Sequence, residues 1–368
     1  MSEAITKTIS LLLLILIGYL FSRKIKGKEQ KEGIRTIILS LALPATILIA
    51  LLKVDFIPEL IIIPVLALLF NIFIYGLISR LPLRSLFNIQ ENQYRSLILI
   101  IPSLAPGLSC FPFIMEYSGE GTLAMAALAD LGNKVFVLII TYIIAMKWYL
   151  KANKEFTGDK KVNIKDVLIS LLNEPVNVIV VTAIVMLSLG LHYDAFPIWL
   201  RSSIDKISLM MTPLVLLFIG ISIKFTWAQM RTIFAFLFFR SSIAFLISAA
   251  LLFIISPTDI ATALLIVVFP QSACSFWPYA HMAAVSDLEK KHHQDSRTFD
   301  LDFAMNILAC SLPFSVVLIM MAYTMQRVFT TPLNILGFAA LFLLLAAIPA
   351  IVPAYRSKSV LRDESTYR

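Results

Sequence analysis

Eleven stretches of about 20 mostly apolar residues run through this chain, the length a helix needs to cross the hydrocarbon core of a bilayer. They read as Ile5–Ser22, Ile34–Leu52, Ile57–Ile78, Leu97–Tyr117, Leu123–Met146 and Pro175–Leu191, then Ser208–Ile223, Ala235–Ile255, Ala261–Val285, Phe303–Met325 and Leu333–Val352. Lipid offers no hydrogen-bonding partner to the backbone, so a chain patterned this way must satisfy its own amides as helices. The expected fold class is therefore an all-α polytopic membrane protein. Composition agrees: 59% of the residues are hydrophobic, 15% are charged and mean hydropathy is +0.87. Soluble domains sit near 45–50% apolar and about 25% charged. The loops left over are too short for a soluble domain.

The net charge of +8 could suggest nucleic acid, but its placement excludes that partner. One set of alternate loops carries Arg23, Lys24, Lys26, Lys28, Lys31 and Arg35, then Arg80, Arg84 and Arg95. It continues with Lys147, Lys151, Lys154, Lys160, Lys161 and Lys165, with Lys224 and Arg231, with Lys290, Lys291 and Arg297, and ends in Arg356, Lys358, Arg362 and Arg368. The other set holds Lys7, Lys53, Arg201, Lys206 and Arg327, a division of 24 against 5. Basic loops stay in the cytoplasm, which sets the N-terminus outside and the C-terminus inside, as in a bacterial inner-membrane protein. The first run lacks a basic leader and a cleavage site, so it reads as an uncleaved span. Cys110, Cys274 and Cys310 fall in apolar runs and read as buried core residues, not a disulfide framework.

Five spans (1–146), a basic linker (147–172), five more spans (173–326) and a final span with its tail (327–368) make up the expected organisation. An odd number of spans before the linker puts the two halves in opposite orientations, as inverted repeats. Corresponding positions support this: Leu41–Leu48 with Pro44 against Met210–Leu217 with Pro213, and Asp130 and Asn133 against Asp302 and Asn306. The fourth span of each half is the most informative. Pro102, Pro106, Gly107 and Pro112 crowd the first, while Pro270 and Pro278 bracket Gln271, Ser272, Ser275 and Trp277 in the second. A proline costs ~3 kcal/mol in a helix interior, and several together unwind it. Open backbone survives at membrane depth only inside protein or beside a water-filled cavity, so two such breaks point to a transport site.

The pattern resembles the auxin efflux carrier family, within the bile acid:sodium symporter superfamily. The likeness runs over roughly residues 5–326. It rests on Gly18-Tyr19-Leu20 before a basic loop, Leu41-Ala42-Leu43-Pro44, the proline-rich fourth span with Gly119, Ala127, Asp130 and Asn133, and Pro213 with Phe218-Ile219-Gly220-Ile221-Ser222. The resemblance implies a scaffold domain, a transport domain in which broken spans four and nine cross at the midplane, and elevator-like alternating access. It also fits a homodimer through the scaffold. The eleventh span departs from the family's ten.

Half-helix N-termini suit an anion, and Ser103, Ser109, Cys110, Gln271, Ser272 and Ser275 line the expected crossover. Lys134 lies about a dozen residues from either end of the fifth span, near 18–20 Å deep at 1.5 Å per residue, too deep to snorkel. With Asp130, Asn133 and Asn306 it forms the expected coupling site; the competing reading is an internal ion pair that locks the fifth span. In sodium-coupled relatives a cation sits near the crossover, and the Lys134 ammonium is expected in that place. Arg240 reads as a residue close enough to the cytoplasmic face to snorkel, Asn71 as a helix-to-helix bond, and Trp148, Trp199 and Trp227 as interfacial aromatics. His292 and His293 lie in a charged loop without metal-ligand spacing. No phosphate-binding glycine loop, no HExxH and no Ser-His-Asp order marks an enzyme, and no cofactor or metal is expected. The function expected is a secondary-active carrier for a small organic anion, driven by protons or the membrane potential. The alternatives are a sodium-coupled symporter and a membrane sensor or scaffold that transports nothing.

Overall fold

The computed structural model describes residues 3–25, 27–53, 62–87, 89–152, 175–222, 230–291 and 297–364. Lys26, the start of the third span, most of the basic linker with Lys154, Lys160, Lys161 and Lys165, Lys224, Trp227, the His292–His293 pair and Arg368 lie outside the described residues.

Among the described residues all regular structure is helical. In chain order the helices are α1 (Glu3–Phe21), α2 (Lys28–Ile37), α3 (Leu43–Leu52), α4 (Ile62–Arg80), α5 (Leu83–Leu86) and α6 (Glu91–Ile100). Then come α7 (Pro106–Ser109), α8 (Phe111–Lys134), α9 (Thr141–Ala152), α10 (Pro175–Ser188), α11 (Ile198–Leu209) and α12 (Met211–Ser222). The last six are α13 (Met230–Ile255), α14 (Ile260–Val268), α15 (Trp277–Lys291), α16 (Leu301–Thr324), α17 (Gln326–Phe329) and α18 (Pro332–Glu364).

Among the described residues, six helical runs are long and apolar enough to cross a membrane: Glu29–Leu52, Ile62–Arg80, Phe111–Lys151, Ile198–Ile221, Met230–Ile255 and Leu301–Thr324. Four shorter apolar helices accompany them, Ile9–Phe21, Val178–Ser188, Ile260–Gln271 and Pro332–Ile348. The chain is thus an all-α protein built for a membrane. Two segments with proline clusters yield no continuous helix, because a proline cannot supply the N–H that the preceding turn needs.

Local chemistry accounts for the irregularities. Ile38–Ala42 is a π-helical turn between α2 and α3, ending where the Leu43 N–H reaches back to the Ile38 carbonyl. The next residue is Pro44, and the wider turn makes room for its ring. A second π-helical stretch, Val135–Ile140, separates α8 from α9 immediately after Lys134. Inside α8 the backbone turns at Gly119, whose φ of +80° is open to glycine and strained for other residues.

Helix contacts fall into pairs. α1 crosses α12 closely: a Cβ on Gly18 would overlap the Leu217 carbonyl, and one on Gly220 would overlap the Ile15 carbonyl. α10 and α11 both pack on α3, α4 packs on α8, α6 on α16, and α15 on α9. The most extensive contact joins α13 to α18. There Ser242 donates to the Ala339 carbonyl at 2.6 Å, and Phe245 meets the rings of Phe329, Phe338 and Phe342.

Candidate crossover site

Residues 101–105 leave helical geometry between α6 and α7, and 272–276 do so between the turn at Phe269–Gln271 and α15. Each break frees backbone groups that must find partners, since Ser103, Leu104, Ser272, Ala273, Cys274 and Ser275 are all buried. They find one another. The Ala105 N–H donates to the Ala273 carbonyl at 2.7 Å. The Ser275 N–H donates to Ser103 Oγ at 2.9 Å, and the Ala273 N–H to Ser109 Oγ at 2.9 Å. The two breaks therefore cross in direct contact, pinned by hydroxyls that the fourth span supplies.

Outside this contact, each break is held by different chemistry. In the first, the Asn133 side chain acts like a piece of backbone: Oδ1 accepts from the Leu104 N–H at 3.1 Å, and Nδ2 donates to the Leu104 carbonyl at 2.9 Å. Asn133 Nδ2 also donates to Asp130 Oδ1 at 2.7 Å, and Asn71 Nδ2 donates to Asn133 Oδ1 at 2.7 Å. Asn71, Asp130 and Asn133 are all buried. Asn71 thus makes the helix-to-helix bond expected of it.

In the second break the supporting group is a guanidinium. Arg240 Nη2 donates to the Ser272 carbonyl at 2.6 Å and to the Pro270 carbonyl at 3.4 Å. The residue is 1% exposed, which overturns the snorkelling expected of it. The helix is already formed at Met230, ahead of Ala235, so Arg240 stands at least about 15 Å along it at 1.5 Å per residue and turns inward. Its Nε has no hydrogen-bond partner, nor do the Gln271 Oε1 and Ser241 Oγ atoms beside it in the chain and the break. Gln271 Nε2 donates to the Ser241 carbonyl at 3.1 Å, and Ser311 Oγ on α16 accepts from the Cys274 N–H at 3.2 Å.

Of the expected site residues, Pro102, Ser103, Pro106, Gly107, Ser109, Cys110, Pro112, Pro270, Gln271, Ser272, Ser275 and Pro278 are buried in or beside the breaks. Trp277 is half-buried and packs on a small cluster of Phe136, Val137 and Leu138. Lys134 closes α8, half-buried and one turn beyond Asp130. Asn306 is half-buried on α16, five residues before Ser311. Cys110, Cys274 and Cys310 are free and buried, as their apolar surroundings required.

Sequence reasoning missed Arg240 and Ser311 as members of this site. A signal for the first existed: Arg240 is as deep in its helix as Asn71 is in α4, and a charge at that depth needs an internal partner. Below the first break, a cavity of about 450 Å³ is lined by Tyr75, Ser79, Glu91, Tyr94, Arg95 and Lys151, among others. Glu91 in its wall pairs with Arg84 at 2.7 Å and with Arg95 at 3.0 Å. No family model and no curated protein matches this sequence.

Proposed function

We propose that this chain is a secondary-active carrier for a small organic anion such as a carboxylate, with its substrate site at the crossing of residues 101–105 and 272–276. The observation that carries the proposal is the crossing itself. Two interrupted segments at membrane depth are bonded to each other and to side chains of neighbouring helices, an arrangement that a mere anchor has no use for. The inverted-repeat reading and the auxin efflux carrier resemblance belong to the same proposal. Reciprocal contacts support them: the first span meets the seventh (α1 with α12) as the sixth meets the second (α10 with α3). The half-helix that enters the first break likewise meets the tenth span (α6 with α16) as the one that enters the second meets the helix carrying the fifth (α14 with α8). Swapped pairs of this kind are what a two-fold axis between the halves produces.

The anion preference rests on charge. Around the crossing stand the buried Arg240 guanidinium, Lys134 and one buried carboxylate, Asp130, so the fixed side-chain charge leans positive. The half-helix beginning at Trp277 directs its positive end to the same region. Eleven spans, an outside N-terminus and cytoplasmic basic loops complete the reading, and movement of the crossover-bearing body relative to the rest gives alternating access.

The test is thermal stability of the purified protein against mono- and dicarboxylates, followed by uptake of any hit into proteoliposomes. A ligand at 100 times its Kd adds about 2.7 kcal/mol, read as a raised midpoint. A carboxylate that raises the midpoint of the wild type, enters the vesicles and does neither with Ser103→Ala/Ser275→Trp supports the proposal. A complete panel with no shift and no uptake ends it in favour of a sensor or scaffold.

A further inference from the structure

The turn at Phe269–Gln271 ends in the non-helical stretch 272–276, which leaves carbonyls without helical donors. Backbone carbonyls released in this way, inside a membrane protein, are the ligand type that a free monovalent cation occupies. Here two of them, on Pro270 and Ser272, converge on Arg240 Nη2. A guanidinium keeps its charge at every attainable pH, so this cation neither leaves nor titrates. The first break shows that such a seat does not demand a charge for structural reasons: its Leu104 N–H and carbonyl are served by the neutral Asn133 amide. No Asp or Glu side chain among the described residues hydrogen-bonds to Arg240. Its positive charge is spent on carbonyls alone.

We infer that Arg240 is a tethered cation, seated where a free monovalent ion would otherwise bind, and that the protein consequently has no sodium requirement at its second break. This places a stand-in on α13, in addition to the one expected at Lys134. The transport half of the inference rests on the carrier reading above; the stability half does not.

The experiment therefore begins with stability and uses no substrate. Midpoints are measured for the purified wild type, Arg240→Ala, Arg240→Lys and Arg240→Met in sodium, in choline, and with 50 mM guanidinium or 50 mM urea. The wild type is expected to stay within 1 °C on exchange of sodium for choline. Arg240→Ala is expected to lose several degrees and to recover at least half of the loss with guanidinium, and none with urea, its neutral isostere. A void-filling role alone would give equal rescue by urea and overturns the inference. So does a wild type that shifts by several degrees with sodium, or Arg240→Met standing level with or above Arg240→Lys. If Arg240→Ala cannot be purified, the Lys and Met pair still decides: charge retained must exceed charge removed. Uptake is measured last, in vesicles with choline on both sides. Guanidinium rescue together with a silent carboxylate panel sinks the carrier reading and leaves the tethered cation standing, whereas sodium-dependent uptake by the wild type overturns the tethered cation alone.

Discussion

The two breaks lie in contact with each other and are held by different materials. At the first, the opened backbone is bonded by the neutral Asn133 amide, steadied by Asn71, and by the Ser103 hydroxyl. Around the second, the carbonyls are taken by a guanidinium. The same contrast recurs at the entries. The helix leading into the first break starts where Gln93 Oε1 accepts from the Gln90 N–H at 3.3 Å. The helix leading into the second starts under the Asp259 carboxylate, which accepts from the Thr262 N–H at 2.7 Å. The polar group that serves the opened backbone thus differs from one break to the other. The amide carries no charge and the guanidinium keeps its own at every attainable pH, so neither of these two groups titrates.

The largest effect is expected on the neutral side. Asn133→Leu strands the Leu104 N–H, the Leu104 carbonyl and the Asn71 amide in a water-poor interior. At about 1–3 kcal/mol for each unsatisfied group, the loss should be about 4 kcal/mol and should abolish uptake. Thermal unfolding of the purified variant checks it, and a loss below 1 kcal/mol would mean that the amide does not hold the break. Ser311→Ala, on the charged side, removes the single acceptor of the Cys274 N–H and should cost about 1–2 kcal/mol. A loss equal to that of Asn133→Leu would erase the distinction between the two joints.

Ser103→Ala and Ser109→Ala each remove one bond between the breaks, at about 1 kcal/mol apiece. Because both pin the same crossing, the double variant should differ from the sum by at least 0.5 kcal/mol. Strict additivity would show that the two bonds belong to separate units.

The smallest effect concerns pH. The Thr262 N–H holds the Asp259 carboxyl below the usual carboxylate range. A group whose folded value is depressed adds stability above its unfolded value and loses it as pH falls through the folded one. The entry to α14 should therefore weaken only in acid, below the ordinary aspartate range near pH 4, by about 1 kcal/mol at most, since the site is largely exposed. Asp259→Asn keeps the cap and should remove the acid sensitivity. Amide exchange at Thr262 against exchange at Gln90 reads the contrast directly.

Much of this was legible in the sequence because lipid imposes a severe rule: apolar length means helix, and clustered proline means no helix. The positions of both breaks, the burial of the cysteines and the bond from Asn71 follow from that rule. The missed parts depend on rotation and on ends. Placing the start of α13 near Ala235 left Arg240 within reach of water; the helix is already formed at Met230, which carries it at least about a turn deeper. The two π-helical turns have no clear compositional mark, and each rotates the helix beyond it, so facing side chains could not be paired by counting. Ser311 sits among apolar residues of α16, and only the path of the ninth span brings the Cys274 amide to it.

Cys110 and Cys274 stand at the crossing itself, with Cys310 beside Ser311, and all three are sealed from solvent. Nature has in effect planted its own probes where an experimenter would want them. In the conformation described here they should ignore a water-soluble maleimide, so each alkylation event marks a moment when solvent reached the centre of the protein. Applied from one face of a sealed vesicle and then from the other, the reagent becomes a clock for opening toward each side. No engineered cysteine is needed to start it.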